Sequence, residues 1–315
     1  MSDTQLLICG TAFTQEERDR LGAAHPALFV GGPDEMGSLD EGLRAGIRAV
    51  AFKGHTPFGG EAMDLLPQLG VIANFGVGYD AIDVTAASAR NIKVTNTPDV
   101  LSDDVADLAV ALMLAQARTM ILGHAQAASG RWATEGAIPL NRKVSGSTVG
   151  IVGLGRIGRE IADRLAAFKM DIHYTSRSEK ETPGWTYHGD VVSLAKAVDF
   201  LVIALVGGPE TKGHVSREAI EALGPRGVVV NISRGSTIDE GALLDALEAR
   251  TIAGAGLDVF ENEPNLDPRF QKLDNVVLQP HQGSGTVETR TDMAVLQLDN
   301  VSAFLAGRDL LTPVN

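Results

Sequence analysis

Cysteine is almost absent: Cys9 is the only one in 315 residues. A disulfide within one copy of the chain is therefore excluded, and a reducing, cytoplasmic setting is expected. Cys9 lies in the apolar run Leu6-Leu7-Ile8-Cys9, where a small buried thiol is the ordinary use. Positive charge is also scarce, with 27 Lys and Arg against 40 Asp and Glu and a net charge of −13. Binding to a nucleic-acid backbone needs a basic surface, so no nucleic-acid partner is expected. An anionic small molecule stays open, because it needs only a local cluster of positive groups. No apolar run reaches membrane-spanning length, and Met1-Ser2-Asp3-Thr4-Gln5 does not read as a signal peptide, so no membrane partner is expected. No close pair of His or Cys ligands points to a metal. A serine nucleophile is unsupported, since Gly283-Ser284-Gly285 lacks the first spacer of the Gly-x-Ser-x-Gly turn.

What is present is an ordinary globular composition, 44% hydrophobic and 21% charged, long enough for two domains. The sharpest feature is Thr148-Val149-Gly150-Ile151-Val152-Gly153-Leu154-Gly155-Arg156-Ile157-Gly158. It reads as a strand running into Gly-x-Gly-x-x-Gly and then a helix with the apolar stripe Ile157, Ile161 and Leu165. Gly153 permits the tight turn, Gly155 lets backbone approach a pyrophosphate, and Gly158 lets the helix pack on the strand. Helix N-terminal amides would face the phosphates.

The glycine turn sits mid-chain, so a folded region precedes it. Short buried strands are predicted at Leu6–Cys9, Ala49–Phe52, Val71–Phe75 and Ile92–Thr95, with helices around 14–23, 38–46, 60–67 and 81–90. One long helix is predicted from Ser102 to about Gly130, apolar on most of its surface, which a second copy of the chain would cover. A second series follows, with strands at 148–153, 171–176, 199–205, 227–232, 253–259 and 275–280 and helices at 156–169, 191–197, 216–223 and 239–249. The last helix, about 287–307, is expected to return to the first domain. The expected fold is α/β: two domains, each a doubly wound parallel sheet, one flavodoxin-like and substrate-binding, the other a Rossmann domain. The boundaries are 1–99 plus 287–315 for the substrate domain and 100–286 for the dinucleotide domain, including the dimerisation helix at about 102–130. Crossing twice between them would leave a hinge and a cleft.

The second strand of the Rossmann series ends in Ser176-Arg177-Ser178, where an NAD enzyme would place an acid on the ribose hydroxyls. An arginine and two hydroxyls suit a 2′-phosphate, so NADP(H) is expected as preferred cofactor, with NAD(H) second; the plainer reading of Arg177 is a solvated surface arginine. Three polar residues each follow a predicted strand: Arg234, Glu263 and His281. Ligands of open α/β sheets bind beyond the carboxyl ends of strands, so the three can converge. Arg234 can grip the carboxylate and ketone of a 2-keto acid. His281 can donate a proton to the ketone oxygen while hydride reaches carbon, and Glu263 can fix the imidazole ring. Taken singly, Arg234 could cap a helix, Glu263 lies in an acidic loop, and His281 could be structural. Their order, each after a strand, favours the catalytic reading. Asp258 is a candidate to hold the nicotinamide amide or ribose. In all, the expected cofactor contacts are Gly153, Leu154, Gly155, Arg156, Ile157, Gly158, Ser176, Arg177, Ser178, Ile232, Asp258 and Gly283.

From Val71 to Asn315 the chain resembles the D-2-hydroxyacid dehydrogenase family, closest to its glyoxylate/hydroxypyruvate reductase and hydroxyphenylpyruvate reductase branch. The resemblance is carried by Val94–Leu101, Asp104–Asp107, Gly153–Gly158, Ser233-Arg234-Gly235, Gly254–Pro264 and Pro280–Thr286. It implies NADPH-dependent reduction of small 2-keto acids (glyoxylate, hydroxypyruvate, with phenylpyruvates as further candidates) to D-2-hydroxy acids. It also implies a homodimer, catalysis by Arg234, Glu263 and His281, and substrate-carboxylate binding by the amides of Val77 and Gly78. Trp132 matches a tryptophan that in this branch reaches the partner's active site; an interface or core aromatic is its plainer use. Two departures stand out. The loop Lys53-Gly54-His55-Thr56-Pro57-Phe58-Gly59-Gly60 replaces a small polar turn, so His55 or Phe58 is expected to reshape the pocket, and Val206–Thr211 lacks a leading proline. The rival readings are a D-3-phosphoglycerate dehydrogenase and a non-catalytic dinucleotide sensor. Ser176-Arg177-Ser178 and the lack of a C-terminal regulatory extension argue against the first.

Overall fold

The computed structural model describes residues 4–315, which form two compact units. The first comprises residues up to Leu101 together with Thr286–Asn315; the second spans Ser102–Gly285.

In the first unit the order is β1 (Leu6–Cys9), α1 (Gln15–Ala24), β2 (Ala27–Val30), α2 (Glu41–Arg44), β3 (Ala49–Phe52), α3 (Gly60–Asp64), β4 (Val71–Asn74), α4 (Val84–Ala89) and β5 (Lys93–Thr95). The strands form one parallel sheet in the order β2-β1-β3-β4-β5, the flavodoxin-like winding. Alternate strand residues feed opposite faces. Leu7, Cys9, Val50, Phe52, Ile72 and Val94 enter one core, while Leu6, Ile8, Ala49, Ala51, Val71 and Ala73 enter the other. The last helix, Val287–Leu305, packs on this second face through Val301. Its buried Gln297 donates from Nε2 to the carbonyls of Phe52 (3.1 Å) and Ala73 (2.8 Å).

The second unit opens with α5 (Ser102–Ala117), α6 (Met120–Ala128) and α7 (Trp132–Glu135). It continues through β6 (Thr148–Val152), α8 (Arg156–Ala167), β7 (Asp171–Thr175), β8 (Thr186–His188), α9 (Val191–Ala197), β9 (Phe200–Ile203) and α10 (Arg217–Leu223). It closes with β10 (Val228–Asn231), α11 (Glu240–Glu248), β11 (Gly254–Leu257) and β12 (Val276–Leu278); Val287–Leu305 is then α12. Seven parallel strands lie in the order β12-β11-β10-β9-β6-β7-β8. The direction of winding reverses at β6, which places the switch point beside the glycine turn.

One predicted element is corrected. The single helix expected over 102–130 is two helices bent by 66°. Thr119 between them sits at φ +43°. The segment that follows explains the break: the Arg142 N–H donates to the Ala117 carbonyl (3.1 Å) and the Thr119 hydroxyl donates to Asn141 Oδ1 (2.7 Å). A tertiary partner takes the C-terminal carbonyl that a continuing helix would have used. Among the described residues, no single helix is long and apolar enough to cross a membrane.

Candidate active site

The glycine turn connects β6 to α8. Gly153 has φ +99°, and a Cβ there would lie 2.7 Å from the Ala204 carbonyl oxygen. A Cβ on Gly158 would lie 2.1 Å from the Gly153 carbonyl oxygen, so helix and turn touch through bare backbone. At Gly155 a Cβ would meet nothing within 4 Å. Gly155 is also the N-cap of α8 and offers no side-chain hydrogen bond to the first amides. Open space in front of an uncapped helix N-terminus fits a pyrophosphate. Leu154 and Gly158 are buried, Ile157 is half-buried, and Arg156 is exposed. At the end of β7, Ser176 is half-buried and Arg177 and Ser178 are exposed.

Three loops at the carboxyl ends of β10, β11 and β12 carry the other polar groups. Neighbouring side chains hold the Arg234 backbone, and its Nη1 donates to the Ser233 carbonyl (2.8 Å). The Arg234 carbonyl accepts from Asn231 Nδ2 (2.9 Å) and from the Thr237 hydroxyl (2.7 Å). Asn231 Oδ1 also accepts from the Ser233 N–H (3.0 Å), and Ile232 beside it is buried. A Cβ on Gly235 would lie 2.0 Å from the Phe260 carbonyl carbon, so the Arg234 turn is pressed against the loop after β11. Glu263 on that loop accepts from the Phe260 N–H through Oε1 (2.8 Å) and meets His281 Nδ1 through Oε2 (2.6 Å). The imidazole is thus held by a carboxylate that is itself held by backbone.

His281 adopts φ +54°, a left-handed conformation that costs a side-chain-bearing residue about 1–3 kcal/mol. Asp258 supplies the compensation. Its carbonyl accepts from the His281 N–H (2.9 Å), Oδ1 from the Gln282 N–H (2.6 Å) and Oδ2 from the Gly283 N–H (2.8 Å). Burial pushes the Asp258 carboxyl above its usual range, against the pull of those amides and of the His281 charge. The expectation for Asp258 was nicotinamide or ribose; the partners seen are the amides of the histidine loop. Buried Glu240, whose carboxyl burial also pushes up, accepts from the Glu261 N–H (2.9 Å) and pins the same region.

The first unit holds Val77 and Gly78 in the turn after β4. Asn74 Nδ2 donates to the carbonyls of Gly76 (3.1 Å) and Gly78 (2.9 Å), and Asn96 Nδ2 donates to that of Val77 (3.0 Å). Thr97 exchanges two bonds with Gly76, each 3.0 Å. None of these bonds uses the N–H of Val77 or Gly78. At the end of β3, Lys53 Nζ reaches both oxygens of Glu17 at 2.7 Å and lies 4.1 Å from the Phe75 ring centroid. Phe58 is fully buried against Phe52, ring centroids 5.6 Å apart, so it fills the core and does not reshape a pocket; His55 is exposed. Trp132 is 66% exposed at the start of α7.

Asn74, Asn96, Thr97, Asn231, Thr237 and Glu240 were not read from the sequence as parts of this framework. Each binds the backbone carbonyl or amide of a loop rather than a side chain of the candidate catalytic group. For Asn74, Asn96, Thr97 and Asn231 the signal available was a polar residue at the end of a predicted strand; Thr237 and Glu240 carried none.

The family described as "D-isomer specific 2-hydroxyacid dehydrogenase, NAD binding domain" matches residues 110–283. The hydroxyphenylpyruvate reductase of Plectranthus scutellarioides is 47% identical over 268 residues, covering 85% of each chain. The 2-ketogluconate reductase of Gluconobacter oxydans is 46% identical over 268 residues, covering 85% of this chain and 86% of that one. Among solved structures, the NADPH-dependent glyoxylate/hydroxypyruvate reductase of Sinorhizobium meliloti, in complex with NADP and malonate, superposes with TM-score 0.94 at 42% identity. That superposition covers 99% of this chain and 97% of the other. A parallel dinucleotide sheet bearing an imidazole–carboxylate pair defines the class, a nucleotide-dependent oxidoreductase. The chain belongs to the D-isomer specific 2-hydroxyacid dehydrogenase family.

Proposed function

We propose that the protein reduces small 2-keto acids, glyoxylate and hydroxypyruvate foremost, to D-2-hydroxy acids with NADPH as preferred donor. The observation that carries this reading is the Glu263–His281 bond at 2.6 Å at the carboxyl end of the sheet that bears the glycine turn. A bound nicotinamide dinucleotide supplies the hydride that reaches the keto carbon. Arg234 binds the substrate carboxylate and keto oxygen through its planar fork of donors. With Nδ1 bound to Glu263, the proton passes from His281 Nε2 to the keto oxygen, which completes the hydroxyl group. The amides of Val77 and Gly78 are assigned to the substrate carboxylate. Ser176, Arg177 and Ser178 are assigned to the 2′-phosphate, with NADH as the weaker donor.

The enzyme is further assigned to the cytoplasm as a homodimer. Met120, Ile121 and Leu122 on α6 are 55%, 61% and 46% exposed, apolar surface that a second copy would cover. Trp132, close by in sequence, is assigned to the partner's substrate site.

Steady-state turnover of a keto-acid panel with each cofactor tests the reading. Glyoxylate and hydroxypyruvate should lead, with higher kcat/KM for NADPH. Turnover near zero on every 2-keto acid would replace the enzyme with a nucleotide sensor, and preference for NADH would refute the phosphate assignment.

A further inference from the structure

β7 and β8 are parallel neighbours, yet the connection between them, residues 176–185, contains no helix. Its shape is instead held by side chains from the elements around it. Tyr174 is fully buried, and its hydroxyl both donates to the Lys180 carbonyl (3.1 Å) and accepts from the Lys180 N–H (2.9 Å). Tyr187 stands opposite Tyr174 in the ladder, ring centroids 5.5 Å apart, and its hydroxyl donates to the Ser176 carbonyl (3.4 Å). Arg159, in α8 just after the glycine turn, donates from Nη1 to the Glu181 carbonyl (3.0 Å). Its guanidinium lies 4.7 Å from the centroid of the Trp185 ring. Within the loop the Ser176 hydroxyl donates to the Ser178 carbonyl. The connection is therefore tied to β7, β8 or α8 at Ser176, Lys180, Glu181 and Trp185.

We propose that Tyr174 and Arg159 are positioning residues for nucleotide choice: by bracing the 176–185 connection they hold Ser176, Arg177 and Ser178 in the arrangement that takes a 2′-phosphate, without touching the phosphate themselves. This rests on the assignment of those three residues to NADPH. A loop freed at Lys180 or Glu181 must be ordered again on binding, and that ordering cost falls on the phosphate contacts. AMP, which lacks the 2′-phosphate, does not depend on those contacts.

The test is equilibrium binding of 2′,5′-ADP and of AMP by calorimetry, alongside kinetics with NADPH and NADH. Tyr174→Phe removes one oxygen and leaves the buried ring in place. It should raise the Kd for 2′,5′-ADP about tenfold, the scale of two neutral hydrogen bonds lost, and leave the AMP Kd unchanged within about twofold. KM for NADPH should rise with kcat at saturation unchanged. Arg159→Ala should behave alike, and Arg159→Lys, which keeps a cation over Trp185 and a donor for Glu181, should recover most of the loss. Equal weakening of both nucleotides, or of neither, overturns the inference. Wild-type protein that binds 2′,5′-ADP no better than AMP overturns the phosphate assignment itself, and this inference with it.

Discussion

His281 and Glu263 form the shortest contact of the candidate catalytic group, and its energetics set what single substitutions should do. A hydrogen bond to a charged partner contributes about 1.5–3 kcal/mol, which corresponds to about 10–100-fold in rate where the bond orients a proton donor. Glu263→Gln keeps the shape and loses the charge. It should lower kcat by that factor with little change in KM, measured under saturating NADPH. His281→Ala removes the donor and should lower kcat by about 10²–10⁴-fold. An unchanged kcat in His281→Ala would remove the imidazole from the mechanism. Arg234→Ala should raise KM as well as lower kcat, since that guanidinium is assigned to both the carboxylate and the keto oxygen.

The strand–turn–helix of β6 and α8 separates two uses of glycine. At Gly158 an added methyl would meet backbone at 2.1 Å, and backbone cannot step aside cheaply. Gly158→Ala should cost at least the 1–3 kcal/mol typical of overpacking, about that order in a urea melt, and should weaken nucleotide binding as the turn deforms. At Gly155 an added methyl meets no protein atom, and its φ of −87° suits alanine. Gly155→Ala should therefore melt like the wild type yet bind NADPH weakly, because the methyl occupies the place assigned to pyrophosphate. Normal NADPH affinity in Gly155→Ala would show that the phosphates sit elsewhere. At the edge of the same sheet, His173 Nδ1 and His188 Nε2 are 2.9 Å apart, and Asp171 Oδ2 is 3.3 Å from His173 Nε2. Burial first, and then neighbouring His173, hold the His188 imidazole below its ordinary value of 6.5, while Asp190 pulls it up. The folded state thus binds this proton less readily than the unfolded chain. Its contribution to stability is complete above the ordinary value and is lost as pH falls through it toward the lowered one. Thermal melts between about pH 7.5 and 5.5 should show a smaller fall in Tm for His188→Gln than for wild type. Equal slopes would exclude this pair as a source of acid sensitivity.

For the whole molecule, charge and apolar surface act in opposite directions. A net charge of −13 keeps copies apart at long range, while the exposed apolar residues of α6 offer area that gains from burial. Sedimentation velocity should give a dimer, and the double substitution Ile121→Asp with Leu122→Asp should give monomer, since the proposed interface would then have to bury four carboxylates. A dimer that survives the double substitution would place the interface elsewhere. Added salt should strengthen the wild-type dimer by screening the net charge.

The sequence by itself settled the elements with strong periodicity. Runs such as Val228-Val229-Val230 and Phe200–Ile203 are apolar at every position, as strands covered on both faces must be, and the glycines at 153 and 158 answer local steric demands. The positions of Arg234, Glu263 and His281 after strands were legible for the same reason, because a strand end is a local feature, and the structure bonds Glu263 to His281. Edge strands Ala27–Val30 and Thr186–His188 were not read; the second, Thr-Tyr-His, is half-exposed and carries no apolar run. The bend at Thr119 was not read either, because Asn141 and Arg142 supply the bonds that end α5. The tertiary structure alone decided that Asp258 braces the loop of His281, that Asn74 and Asn96 grip the Val77–Gly78 turn, and that Phe58 belongs to the core. Periodicity and backbone sterics act between residues close in the chain and leave their mark in order and spacing. A hydrogen bond between a side chain and a distant backbone group leaves none until the sheet has brought the two together.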